Sequence, residues 1–354
     1  MTKEITPRQR VMTALHSGKP DKIPFTIYKG HHISQSTSEK ELRNRGLCIV
    51  ERFLRSYKIH HPNVKIESKH YKDSDGKDLI LTIYTTPYGD LTTLEEPFGF
   101  TTWRHEGMFK SSDDYKKILY FIKDTIVESN YDEAEKSVKD LGEDFIVIDN
   151  LPQQPMQNLV GSSYMKDEIF CIEWMDNRDE ILKLYEALLV IARKIYPIVA
   201  NSPIEICAYG GNVTPQIIGV ENFEKYYVPN YNEAAEMLHK KGKLIGTHLD
   251  GDNTLIMSAV AKTKLDYIEA YDAGIGPSVK EAKKYWQNKV LWINYPSAWH
   301  LKPVEEVRKN TIKLIEEASP GNGFIIGITE SVPEERRKQN FSAIMDGIDE
   351  VTDF

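Results

Sequence analysis

The sequence predicts an α/β fold, a closed (β/α)8 barrel of the TIM type with an antiparallel hairpin insertion near its N-terminus. Three observations carry that expectation. Five short apolar runs in the second half of the chain each end in a polar or acidic residue. Stretches with helical periodicity separate them, so the order reads strand, helix, strand, helix. A length of 354 residues with 40% apolar content suits one large barrel domain over 1–354.

The first helix is expected at Thr6-Pro-Arg-Gln-Arg-Val-Met-Thr-Ala-Leu15, where Thr6 caps, Pro7 fits the first turn, and Val11, Ala14 and Leu15 share a face. A turn at Ser17–Lys22 leads into Ile23-Pro-Phe-Thr-Ile27, read as the first barrel strand and followed by Tyr28, Lys29, Gly30, His31 and His32. Residues 63–96 differ in character. Val64–Tyr71 alternates, Asp73-Ser-Asp-Gly76 is a turn signal, and Leu79–Thr86 follows, which predicts the hairpin; Thr86–Thr93 continues the meander. Phe145-Ile-Val-Ile148 is a buried strand ending at Asp149 and Asn150. From Asn177 to Ala200 the apolar positions Ile181, Leu184, Leu188, Ile191, Ile195 and Val199 mark one amphipathic helix.

The five later runs are Ile204–Ala208 before Tyr209, Lys243–Thr247 before His248 and Asp250, Leu265–Ile268 before Glu269, Val290–Ile293 before Asn294, and Phe324–Ile328 before Thr329 and Glu330. In a parallel barrel the carboxyl ends of all strands meet at one face, where catalytic groups collect. One His and three carboxylates at that face point to a metal. His248-Leu-Asp250 is a two-residue alternation, so on an extended segment both side chains point the same way. A His nitrogen with carboxylate oxygens suits zinc, with iron or manganese as competitors, and a catalytic zinc keeps an open position. The candidate ligands are His248, Glu330, Glu269 and Asp250. The alternative is a site without metal, in which the acids hold a cationic group or orient water.

Tyr209-Gly-Gly-Asn212 places glycines directly after a strand, where a ligand can approach backbone. Tyr209 and Asn212 are therefore candidate substrate contacts, as is His31, since only one of the vicinal pair His31 and His32 can face the cavity. Asn294 joins His248 and Glu330 as a catalytic candidate, and Phe100, Trp103 and Trp292 are candidates for an aromatic wall. Glu233 and Glu236 belong to a helix over Tyr227–Lys241, where a solvated face accounts for them. The sequence lacks Gly-x-Gly-x-x-Gly, a Walker loop, Gly-x-Ser-x-Gly and His-Glu-x-x-His, which removes support from nucleotide, phosphate-transfer and serine-hydrolase chemistry.

A formal charge of −8 predicts no nucleic-acid partner. Without a charged-then-apolar leader, or an apolar run near the roughly 20 residues that span a bilayer, a cytoplasmic protein with no membrane contact is expected. Cys48, Cys171 and Cys207 are too few and too scattered for a disulfide framework.

Several blocks resemble the uroporphyrinogen decarboxylase superfamily: Thr6–Pro24, Gly219-Val-Glu-Asn-Phe-Glu-Lys-Tyr-Tyr-Val-Pro-Asn-Tyr231, Gly246-Thr-His-Leu-Asp-Gly251 and Phe324–Pro333. The resemblance spans most of the chain, is loosest in the hairpin region, and implies a (β/α)8 barrel. Decarboxylases of the superfamily carry an Arg-rich block after the first strand; here Tyr28-Lys-Gly-His-His-Ile33 has no Arg. The corrinoid-dependent methyltransferase branch carries a zinc site written His-x-Cys with a further Cys after the last strand. His248 matches that His, Asp250 stands at the first Cys position and Glu330 at the last. Thr86-Pro-Tyr-Gly-Asp-Leu91 is also similar to the methyltransferase members.

The resemblance implies a zinc-dependent methyltransferase. It would move a methyl group from a small methylated substrate, an aryl methyl ether, to the cob(I)amide of a separate corrinoid protein, as in O-demethylation. Carboxylates in place of thiolates leave zinc a stronger Lewis acid toward oxygen, which fits an ether. Two alternatives stand beside it: a methylcobamide:thiol methyltransferase, and a non-catalytic barrel that binds a corrinoid or tetrapyrrole. The sequence leaves a homodimer open.

Overall fold

Eight parallel strands close a barrel in the computed structural model, which describes residues 5–31, 37–52, 54–98, 101–161 and 164–351. The strands are β1 (Phe25–Tyr28), β2 (Leu47–Glu51), β3 (Phe145–Leu151), β4 (Ile206–Gly211), β5 (Leu244–His248), β6 (Tyr267–Tyr271), β7 (Val290–Asn294) and β8 (Phe324–Ile328). Each pairs with its sequence neighbours, and β8 closes on β1 through the register Phe25↔Ile326 to Ile27↔Ile328. The expected (β/α)8 barrel is thus present. Helices follow the strands, among them Val228–His239 after β4, Val304–Glu317 after β7 and Glu334–Glu350 after β8. Strand β2 was not anticipated from the sequence, although Leu47-Cys-Ile-Val-Glu51 is buried throughout and has the same apolar-then-charged form as the others.

Helix α1 (Pro7–Leu15) starts as the sequence indicated. Thr6 accepts from the Gln9 backbone N–H while the Gln9 side chain accepts from the Thr6 N–H, a reciprocal cap that satisfies two otherwise unpaired donors. Its apolar face, Val11, Ala14 and Leu15, packs with Cys48, Ile146, Ile206, Val290 and Ile325 and plugs the amino end of the barrel. Higher in the barrel, Tyr267 and Trp292 fill the interior, each fully buried. Small residues make room for them. A Cβ on Gly246 would come within 2.3 Å of the Tyr267 ring, and one on Gly327 within 2.8 Å of Trp292 Nε1. The two polar handles are satisfied: Tyr267 Oη donates to the Cys207 carbonyl at 2.8 Å and Trp292 Nε1 donates to Thr26 Oγ1 at 2.9 Å. This layer is the floor on which the functional groups stand.

The chain forms two compact units, the barrel unit (residues up to 56, 131–151 and from 199 onward) and a second unit (57–130 and 152–198). The second contains a four-stranded antiparallel sheet in sequential order, Lys65–Lys72, Asp78–Thr86, Gly89–Phe98 and Thr101–Glu106. The sheet therefore runs beyond the 63–96 insertion expected from the sequence, because the polar run Thr101–Glu106 adds an edge strand. Its first turn follows the Asp73–Gly76 signal, with Asp73 Oδ1 accepting the backbone N–H groups of Asp75 and Lys77 at 2.9 Å each. Residues 152–198 contribute helices, including Asp167–Asp176 and most of Arg178–Ala200. Among the described residues no helix is long and apolar enough to cross a membrane.

Candidate metal centre

The carboxyl ends of β5 and β8 bring His248, Asp250 and Glu330 together. Each offers one ligand atom, and these atoms all lie within 4.8 Å of one another. His248 Nε2 is 3.8 Å from Asp250 Oδ2. Strand β5 ends at His248, so Asp250 reaches the same side from the loop that follows. Asn294, at the end of β7, accepts the Thr329 N–H on Oδ1 at 3.0 Å and donates from Nδ2 to Ser297 Oγ at 3.3 Å. It thereby fixes the backbone next to Glu330.

Glu269 does not join this group. It is fully buried, and its carboxylate faces the other ring edge, 3.8 Å from His248 Nδ1. The assignment of Glu269 as a metal ligand is corrected for that reason: an ion on Nε2 would be on the far side of the imidazole. Its neighbours there are Tyr28, whose hydroxyl lies 3.2 Å from Nδ1, and Arg52, whose Nη1 is 3.5 Å from Glu269 Oε2 and hydrogen-bonds the Tyr28 hydroxyl. The Arg52 guanidinium also lies over the Tyr28 ring, 4.5 Å from its centroid.

Sequence reasoning missed this second layer. Arg52 follows β2, and the apolar run Leu47–Val50 ahead of it was the available signal. The absence of Arg after β1 is real, but the next strand supplies one.

Charge explains the arrangement. Burial opposes ionisation of Glu269, and Arg52, together with His248 and Tyr28, more than offsets it, holding the carboxyl down at about 2. For His248, burial would lower the pKa, while the nearby carboxylates Asp250 and Glu269 outweigh it and raise the group to about 9. Burial and then the negative charges of Asp250 and Asp272 push Glu330 up. The Nε2 edge of His248 therefore favours positive charge, and Glu330 sits among acids that repel it. A divalent cation fits this donor set: it would replace the proton on Nε2 and relieve the repulsion among the carboxylates. With Nε2 so used, the Nδ1–H is free to donate to the Tyr28 oxygen beside Glu269, an outer-shell arrangement typical of metal-binding His.

The backbone is built around His248. Residues 210, 211 and 212 all have positive φ (63°, 155° and 51°). A Cβ on Gly211 would lie 2.8 Å from the His248 Cβ, so glycine is what lets β4 end against this residue. Ala270, directly after Glu269, has φ 63° where the β6 register shifts, a strained position of the kind found at functional sites.

Other candidates fall elsewhere. Tyr209 is fully buried and packs edge-on against Tyr231 on Val228–His239, ring centroids 5.5 Å apart, so it faces the helix layer and its assignment to substrate is corrected. Asn212 is exposed, and its N–H donates to the His248 carbonyl at 3.1 Å. His31 stacks on Tyr28 at 6.3 Å, one ring removed from His248. Trp292 is sealed in the barrel floor and cannot form a cavity wall. Trp103 is exposed on the antiparallel sheet, and His32 and Phe100 lie outside the described residues. Glu236 is exposed and pairs with Lys264 at 2.5 Å.

Beside the His248–Asp250–Glu330 group opens a cavity of about 440 Å³, lined by Asp250, Asp272, Glu330, Asn294 and an apolar wall including Ile275, Pro296 and Trp299.

No protein-family model matches the sequence, and no curated protein does. Among solved structures, a methyltransferase from Methanosarcina mazei aligns over 98% of this chain and 99% of its own, with TM-score 0.57 and 13% identity. A B12-independent methionine synthase from Shewanella sp. W3-18-1 covers 89% of this chain and 85% of its own, with TM-score 0.47 and 10% identity. What the chain has in common with the Methanosarcina mazei methyltransferase is the fold, end to end.

Proposed function

We propose that the protein is a zinc-dependent methyltransferase. It takes a methyl group from a small methylated substrate, an aryl methyl ether, and delivers it to the cob(I)amide of a separate corrinoid protein. The observation that carries this reading is the convergence of His248 Nε2, Asp250 and Glu330 at the carboxyl end of the barrel, next to a cavity large enough for a small organic molecule. The likeness to the sequence blocks of corrinoid-dependent methyltransferases, with His248, Asp250 and Glu330 at the ligand positions, supports the same reading.

A divalent ion held by these residues would supply Lewis-acid stabilisation to the leaving oxygen of the donor. In the balanced reaction the methyl–oxygen bond breaks, and its electron pair stays on the oxygen as a phenoxide, which takes a proton. The methyl group bonds to cobalt(I), which provides both electrons of the new bond, so this chain supplies no nucleophile. Its residues have other tasks. His248 and the two carboxylates hold the ion, Tyr28 and Glu269 orient the imidazole, and Asn294 holds the backbone beside Glu330. The apolar wall keeps water from the departing oxygen, where each electrostatic contact then counts for more.

The test is metal content and turnover together. Protein purified in zinc should hold about one ion per chain, lost in His248→Ala and Glu330→Ala. Wild-type protein should demethylate a methoxylated aromatic with a free cob(I)amide as acceptor, followed by the cobamide's visible spectrum. Zinc-replete protein that holds no ion, or variants that turn over as well as wild type, would overturn the proposal.

A further inference from the structure

The cavity beside the candidate metal centre is lopsided in charge. Among the described residues that line it there are three carboxylates, Asp250, Asp272 and Glu330, and no Lys or Arg. Two of the three belong to the donor set, so an ion bound there would be neutralised by them. Asp272 is left over. It is 6% exposed, follows β6, and accepts the Gly274 N–H on Oδ1 at 2.7 Å, with the Ser297 N–H and the Asn294 side chain also directed at its carboxylate. A carboxylate offers about four acceptor positions, so these donors leave one for a ligand. Burial favours its neutral form, and a donated hydrogen bond would offset part of that penalty.

The opposite wall is apolar. Ile275, Pro296 and Trp299 line it, and Ile275 is 61% exposed at the mouth. A flat apolar body can lie on this wall with its polar substituents toward the acids. A carboxylate on that body would enter a confined space already holding Asp272, where like charges repel; Lys302 lies outside the lining, its Nζ 5.5 Å from the Trp299 ring centroid.

Resting on the methyltransferase reading above, we infer that this cavity selects methoxylated aromatics that carry no carboxylate and that present a phenolic hydroxyl, adjacent to the methoxy group, to Asp272. The hydroxyl donates to the carboxylate, and the methoxy group is thereby held toward His248, Asp250 and Glu330. Asp272 is the residue that determines specificity, and the class of reaction that supplies this substrate is one that yields uncharged phenolic ethers.

Equilibrium binding, measured by calorimetry on the zinc-loaded full chain, tests this apart from turnover. The probes are 2-methoxyphenol, 1,2-dimethoxybenzene, which lacks the hydroxyl, and 4-hydroxy-3-methoxybenzoate, which adds a carboxylate. The expected order is 2-methoxyphenol tightest, with each of the others weaker by about tenfold or more. Asp272→Asn, which keeps an oxygen for the Gly274 N–H, should weaken 2-methoxyphenol about tenfold and leave 1,2-dimethoxybenzene unchanged. Ile275→Lys, at an exposed position, should admit the benzoate. Equal binding of all three probes, tighter binding of the benzoate, or an Asp272→Asn variant with unaltered selectivity would overturn the inference. Binding of a trimethylammonium compound such as choline, with no phenol bound, would overturn both it and the ether reading. The predicted binding order without any methyl transfer would uphold the cavity's selectivity and overturn the reaction.

Discussion

The Tyr28 hydroxyl lies 3.2 Å from Nδ1 of His248, on the ring edge opposite Asp250. Because Arg52 hydrogen-bonds that same hydroxyl, the tyrosine oxygen already has one donor, which leaves it an acceptor position for the Nδ1–H and its own proton for Glu269. Arg52 Nη1, which can only donate, lies 3.3 Å from the same Nδ1, so it is a cation on Nε2 and not the network itself that would put the imidazole proton on Nδ1. Tyr28→Phe keeps the ring under Arg52 and deletes the hydroxyl's link to Nδ1. Zinc affinity should fall about tenfold or more, read by competition with a chelating dye, while the fold persists.

Glu269 is buried between Arg52, 3.5 Å away, and His248, whose Nδ1 is 3.8 Å away. Glu269→Ala leaves Arg52 beside Tyr28 and His248 without its anion. The expected loss is about 3 kcal/mol of unfolding free energy, measured by urea titration. Glu269→Gln should cost less, since it keeps the shape and a hydrogen-bonding oxygen. If both variants matched wild type, the pair would carry no structural weight.

Gly211→Ala puts a methyl group 2.8 Å from the His248 Cβ at a φ of 155°. The clash is with a β-carbon close to backbone, so relief requires a shift of β4 or of His248 itself. We expect a loss of roughly 1–3 kcal/mol in stability together with impaired zinc binding. A variant that loses stability and keeps full zinc affinity would show that β4 absorbs the strain.

His300 gives the protein a pH dependence separate from the candidate site. It is 1% exposed, its Nδ1 is 3.3 Å from Asn340 Nδ2, and burial pushes it down to about 4 from the ordinary 6.5. The unfolded chain therefore takes up the proton first. Stability from this group is complete above pH 6.5 and is lost as pH falls from 6.5 to about 4. A difference of 6.5 − 4 = 2.5 corresponds to about 3 kcal/mol at most. Urea titrations at intervals across that range should show the decline in wild type and a flatter profile in His300→Gln.

Much of the barrel was legible because strand and helix differ in period and each β-run is bounded by turn residues. Seven of its strands, β1 and β3 to β8, correspond to apolar runs recognised in the sequence. The eighth, β2, went unread; it lies between a short helix and the second unit, outside the regular strand and helix alternation of the later chain. With it went Arg52.

By itself the sequence determined the fold class and the gathering of His248, Asp250, Glu269 and Glu330 at one end of the barrel, because a parallel barrel brings every strand's carboxyl end to one face whatever the loops do. Only the tertiary structure decided the direction of each side chain there. Register shifts between Ala208 and Gly211, and between Glu269 and Tyr271, break the two-residue alternation at the strand ends. Past such a shift, spacing no longer tells inward from outward. Asp272, past the second shift and unremarked in the sequence, lines the cavity; Tyr209, which packs on Tyr231, and Glu269, which sits behind the imidazole, still follow the ordinary alternation of their strands from interior Ala208 and Tyr267.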